Sequence, residues 1–146
     1  MHNGEAIHKF STQGSIIDIS KRNKFMAGNI ELGLEGEQLA KAYLEQKGYQ
    51  VLQCNWRHAR AEIDLICKHM AMLIFVEIKT RKGSYYGEPE LAISTTKQKQ
   101  MIAAAEAYIY EHNHQGELRF DTIAIQQTTN GWEITHFEDA FYPYQQ

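Results

Sequence analysis

The chain has 146 residues, 43% of them apolar and 23% charged, a length and balance that suit one compact domain and exclude a two-domain enzyme. A formal net charge of -3 argues against a protein that coats nucleic acid through a strongly basic surface, while leaving room for a local basic patch. The longest unbroken apolar run, Met70 to Val76, falls far short of the roughly 20 residues of a membrane-spanning helix, and the amino-terminus has no continuous apolar stretch of the secretory kind, so a cytoplasmic protein with no membrane partner is expected.

Residues 1–28 show no sustained periodicity beyond the short patch Ile16, Ile17 and Ile19, and are expected to form a partly disordered or loosely docked extension. The single folded domain is expected over residues 29–146, with Met26 as a candidate natural start. From Ile30 to Lys47, the residues Leu39, Ala40, Tyr43 and Leu44 recur at helical spacing, and Gly48 follows as a stop. Tyr49 to Trp56, Ala61 to Cys67 and Met72 to Thr80 read as three strands in an antiparallel meander, with Ile63, Leu65 and Cys67 on one face of the second. Gly83 to Pro89 marks a loop, Ser94 is placed to cap a helix running to about Glu111, and two further strands, Arg119 to Ile125 and Trp132 to Phe137, flank an Asn130-Gly131 turn. Cys54 and Cys67 form no Cys-x-x-Cys motif and are expected as buried thiols.

Chemistry concentrates on the second and third strands. Side chains alternate along a strand, so Glu77 and Lys79 share a face, as do Glu62 and Asp64. A hairpin centred between Met70 and Ala71 sets Asp64 opposite Glu77 and Glu62 opposite Lys79, with Cβ atoms about 4.5 to 5.5 Å apart. Two carboxylates that close repel unless a cation lies between them, and their oxygens suit Mg2+ or Mn2+. A lysine beside them can orient a water or stabilise charge on a phosphate. The same pattern also fits a surface strand with cross-strand Glu-Lys pairs. Glu37 falls on the apolar stripe of the first helix, where a carboxylate needs a partner, or serves as a first-turn acid favoured by the helix dipole. Lys97, in the first turn of the second long helix, opposes the helix dipole, a penalty that a phosphate would reverse. Arg81, Lys82 and Tyr85 lie in a stretch of cations, glycines and aromatics suited to a sugar-phosphate backbone, or to an ordinary loop. Arg57 is either a phosphate contact or half of a surface ion pair, and Arg119 with Asp121 is expected as a structural ion pair. No phosphate-binding glycine loop, dinucleotide fingerprint or Gly-x-Ser-x-Gly elbow occurs.

Taken together, Gly36-Glu37, Ala40, Tyr43-Leu44, Gly48-Tyr49, Asn55-Trp56-Arg57, Glu62-Ile63-Asp64-Leu65-Ile66, Phe75-Val76-Glu77-Ile78-Lys79-Thr80-Arg81, Ala92-Ile93, Lys97-Gln98, Ala104-Ala105 and Tyr108 resemble the bacterial YraN family, also called UPF0102, over about Gly33 to Phe141. That family is similar to the restriction endonuclease-like superfamily. The resemblance implies an α/β fold with the core order α-β-β-β-α-β and a mixed central sheet flanked by helices. It also implies the PD-(D/E)XK site: Asp64 and Glu77 as metal ligands with the Ile78 backbone carbonyl, and Lys79 as the catalytic lysine. The usual Pro before the Asp is Ile63 here. Glu37 resembles the helix-one glutamate of archaeal Holliday-junction resolvases. The expected activity is a Mg2+- or Mn2+-dependent endonuclease acting on DNA, branched or single-stranded by shape; the alternative is a nucleic-acid-binding module of the same fold that cleaves slowly or not at all. Cutting both strands of a junction needs two sites, which a homodimer would supply.

Overall fold

The computed structural model describes residues 10–11, 29–82 and 93–142. Its elements, in chain order, are β1 (Phe10–Ser11), α1 (Asn29–Gln46), β2 (Gln50–His58), β3 (Ala61–His69), β4 (Met72–Lys82), α2 (Thr95–His112), β5 (Leu118–Thr128) and β6 (Gly131–Phe141). The fold is α/β, and from α1 onward the order is the expected one, with the two-residue β1 added by the leading extension. Of the stretch expected to bind, Arg81 and Lys82 belong to β4, and the remainder, including Tyr85, lies outside the described residues.

One mixed sheet runs in the order β1-β6-β5-β4-β3-β2. Strands β2, β3 and β4 form the antiparallel meander, turning at Ala59 (φ 54°) and Met70 (φ 56°). The crossover through α2 then makes β5 parallel to β4, and β6 returns antiparallel beside β5. Ser94 caps α2, its side chain accepting the Lys97 N–H at 3.2 Å. Gly48, at φ 87°, lets the chain leave α1 in a left-handed turn open to glycine at little cost.

Each face of the sheet is closed by one helix. Under α1, Leu39, Ala40, Tyr43 and Leu44 pack on Leu65, Cys67, Ile74, Val76, Ile123 and Ile125. Under α2, Met101, Ala104, Ala105 and Tyr108 pack on Ile63, Ile66, Leu73, Phe75 and Phe120. Cys67 is fully buried as expected, whereas Cys54 is only half-buried. No helix among the described residues is long and apolar enough to cross a membrane.

The β3–β4 ladder has the expected register, from His69↔Met72 to Leu65↔Val76, and ends there. Asp64 and Glu77 therefore lie just past the last paired residues instead of opposing each other within the ladder. Across β2–β3, Cys54 pairs with Leu65 and Trp56 with Ile63, and between them Asn55 takes φ 53°. A left-handed residue turns the strand, and here the side chains change faces. Leu65 and Cys67 sit under α1 while Ile63 sits under α2, so the alternation expected for Ile63, Leu65 and Cys67 breaks at Asp64.

Candidate active site

At the end of the ladder the backbone of β4 meets the side chain of β3. The Ile78 N–H donates to Asp64 Oδ2 at 2.7 Å. In an extended strand the N–H and C=O of one residue point the same way. The Ile78 carbonyl thus leans towards Asp64 as well, beyond the last β3–β4 pair.

Glu77 lies beside Asp64, near enough for each carboxyl to act on the other. Burial is the largest influence on both acids. It raises Asp64 above the ordinary range, against the Ile78 N–H and the Lys97 charge, which pull it down. Glu77 is pushed up to about 7, first by burial and then by the neighbouring Asp64 charge, with Lys97 and Lys79 opposing. Such a pair prefers to hold a proton between its carboxyls. The Lys97 Nζ, from the first turn of α2, which packs over β3 and β2, stands 3.7 Å from Glu77 Oε2. Lys79, two residues after Glu77 and half-buried, adds a second cation close enough to act on Glu77.

A divalent cation fits these donors. Glu77 Oε2 is buried with no hydrogen-bond partner, and two carboxylates plus a backbone carbonyl form the hard-oxygen set that Mg2+ and Mn2+ favour. Among the described residues no cluster of three or more His, Cys, Asp or Glu side chains could hold a metal. Water would complete the coordination, as is usual for Mg2+.

The remaining candidates fall around this centre. Glu37 finds its partner in Asn55, whose Nδ2 donates to Glu37 Oε1 at 2.8 Å. Asn55 stands opposite Asp64, between the Cys54↔Leu65 and Trp56↔Ile63 pairs, so it links α1 to β2, the strand beside the one bearing that carboxylate. α1 comes this close to β4 because Gly36 has no side chain: a Cβ there would collide with Thr80 Cγ2. Arg57 pairs with Glu62 at 3.5 Å on the surface. Arg81 is half-buried on β4, and Lys82 ends that strand.

Asn55 was legible only as part of a motif; its left-handed backbone, common for Asn, was the available signal. A second polar cluster lies on the α1 face. Asp121 and His136 are both fully buried, with His136 Nε2–H donating to Asp121 Oδ2 at 2.7 Å. Arg119 binds both Asp121 oxygens, at 2.7 and 2.8 Å, the expected ion pair. Lys47 Nζ donates to His136 Nδ1 at 3.2 Å, and Arg119 also reaches the Tyr49 hydroxyl at 2.8 Å. Burial raises Asp121, but the hydrogen bonds from His136 and Arg119 outweigh it and leave the carboxyl below its ordinary value.

The fold and site define an α/β domain with a half-buried pair of acids and two lysines where an antiparallel ladder ends. Residues 36–125 match the model of the uncharacterised protein family UPF0102, and the chain belongs to that family. It is 42% identical to a UPF0102 protein of Chlorobium phaeobacteroides, covering 75% of this chain and 92% of the relative. Identity to a UPF0102 protein of Flavobacterium psychrophilum is 38%, over 80% and 98%. For one of Cytophaga hutchinsonii it is 45%, over 66% and 86%.

Proposed function

We propose that the chain is a divalent-metal-dependent endonuclease of the restriction endonuclease-like kind, hydrolysing DNA phosphodiester bonds. The observation that carries this reading is the half-buried Asp64–Glu77 pair with a buried, unsatisfied carboxylate oxygen and two lysines within electrostatic reach. Asp64, Glu77 and the Ile78 carbonyl would hold Mg2+ or Mn2+. When bound, the cation supplies Lewis acidity at the scissile phosphate.

The chain's own groups do the rest. Lys79 orients the attacking water and stabilises the negative charge that develops as it attacks, while Lys97 balances charge on the phosphate. Glu37 supports the site through Asn55. Arg57, Arg81, Lys82 and Tyr85 hold the sugar-phosphate backbone. Contacts of that kind position a strand without reading bases, so selection follows DNA shape, branched or single-stranded. A homodimer would supply the second site that a junction requires.

The test is incubation of purified protein with Mg2+ or Mn2+ and single-stranded, duplex, flapped and four-way-junction DNAs, beside Asp64→Ala and Glu77→Ala. Cleavage that both substitutions abolish is expected. Full activity in Glu77→Ala would overturn the mechanism. Salt-sensitive binding without cleavage would instead make the chain a nucleic-acid-binding module acting with partners.

A further inference from the structure

Three side-chain polar atoms among the described residues are buried without a hydrogen-bond partner, and two of them, Glu77 Oε2 and Thr122 Oγ1, belong to residues paired across the sheet. Strands β4 and β5 run parallel with Glu77 opposite Thr122, so both side chains leave the same face. The pair one pleat earlier confirms which face this is: Phe75 and Phe120 are register partners and stack with ring centroids 5.4 Å apart, under α2. Neighbouring strands lie about 4.8 Å apart, which sets the threonine side chain beside that of the glutamate. On its other flank Thr122 is paired with Phe137, which offers no polar group. Thr122 is fully buried, where a hydroxyl without a partner is costly and a valine of the same shape would not be.

We propose that Thr122 is a positioning residue for Glu77: one water, hydrogen-bonded to Thr122 Oγ1 and Glu77 Oε2, fixes the orientation in which the Glu77 carboxylate meets a divalent cation. A hydroxyl suits this task because it donates and accepts, so the water can accept a hydrogen bond from Thr122 Oγ1–H and donate one to the carboxylate. Nothing in the residue pattern around Glu77 points to β5; the register of the parallel pair supplies the partner. The inference rests on the metal-site reading given above and extends the site from β3 and β4 to β5. Outer-shell partners of metal ligands commonly set affinity by about 10- to 100-fold.

Titration calorimetry with Mn2+ alone, on the full chain without DNA, separates the two ideas. Thr122→Val should bind Mn2+ about tenfold more weakly than wild type, Thr122→Ser should restore most of the affinity, and Thr122→Ala should repeat the loss. Melting curves without metal should show Thr122→Val at least as stable as wild type, because the buried hydroxyl is gone. Wild-type affinity in Thr122→Val, with binding lost in Glu77→Gln, would overturn the role of Thr122 and leave the metal site standing. No Mn2+ binding by wild type would overturn both.

Discussion

Asn55 carries two duties at once. Its backbone holds φ 53°, and its side-chain amide ties Glu37 to the strand facing Asp64. Substitution can pull these apart. Asn55→Gly keeps the left-handed conformation and loses the amide, whereas Asn55→Ala loses the amide and also places a Cβ where the conformation disfavours it. Urea denaturation should find Asn55→Ala less stable than Asn55→Gly by about 1 kcal/mol. Equal stabilities would show that the strand rearranges at this position. The proposed nuclease activity should fall in both variants if Glu37 needs its partner. The same separation of backbone from side chain applies to Ile78, whose amide holds Asp64 while its side chain packs with the α1 core.

At the scale of elements, the site depends on how two helices meet the sheet, α1 over β4 and α2 over β3 and β2. α1 crosses the strand at Gly36, with Thr80 beneath it. In an isolated helix, Gly36→Ala would gain about 1 kcal/mol of helix propensity. Here the added methyl meets Thr80 Cγ2, so thermal denaturation should show Gly36→Ala destabilised. Adding Thr80→Ala should recover part of the loss, a coupling that a double-mutant cycle measures. α2 contributes through its first turn, where the Ser94 cap fixes the helix start and the Lys97 side chain reaches Glu77. A helix beginning one residue later would move that ammonium around the helix by about 100°. The cap therefore belongs to the electrostatics of the site as well as to the stability of the helix.

At the scale of the whole molecule, β5 carries polar side chains to both faces. Asp121 goes to the α1 side, where it joins Arg119, His136 and Lys47, and Thr122 goes to the α2 side beside Glu77. The Asp121 carboxyl lies below its ordinary value in the folded chain. The sign follows from proton linkage: the unfolded chain binds the proton more readily, so this group's contribution is complete above the ordinary Asp pKa, about 4, and is lost as pH falls through the lower folded value. Urea midpoints should drop as pH is lowered below about 4, and Asp121→Asn should flatten that part of the profile. His136→Ala leaves the buried carboxylate short of a donor and opens a cavity. A loss of about 3 kcal/mol is expected by denaturant titration at neutral pH. A loss within the range of a surface substitution would mean that the cluster contributes little to the fold.

Local pattern was enough for the element order, the ladder register and the acids of β3 and β4. The apolar spacing of Leu39, Ala40, Tyr43 and Leu44 marks a helix wherever it packs, and a tight turn at Met70 leaves few ways to pair Leu65 with Val76. By itself the sequence thus determined the α/β fold and the neighbourhood of Asp64, Glu77 and Lys79. What only tertiary structure decided were relations between residues far apart in the chain: Asn55 with Glu37, Lys97 with Glu77, His136 with Asp121, and Thr122 with Glu77. Each depends on a crossover, a strand irregularity or a helix approach distance. Those are set by packing over the whole sheet, whereas periodicity reports only which face of an element is buried.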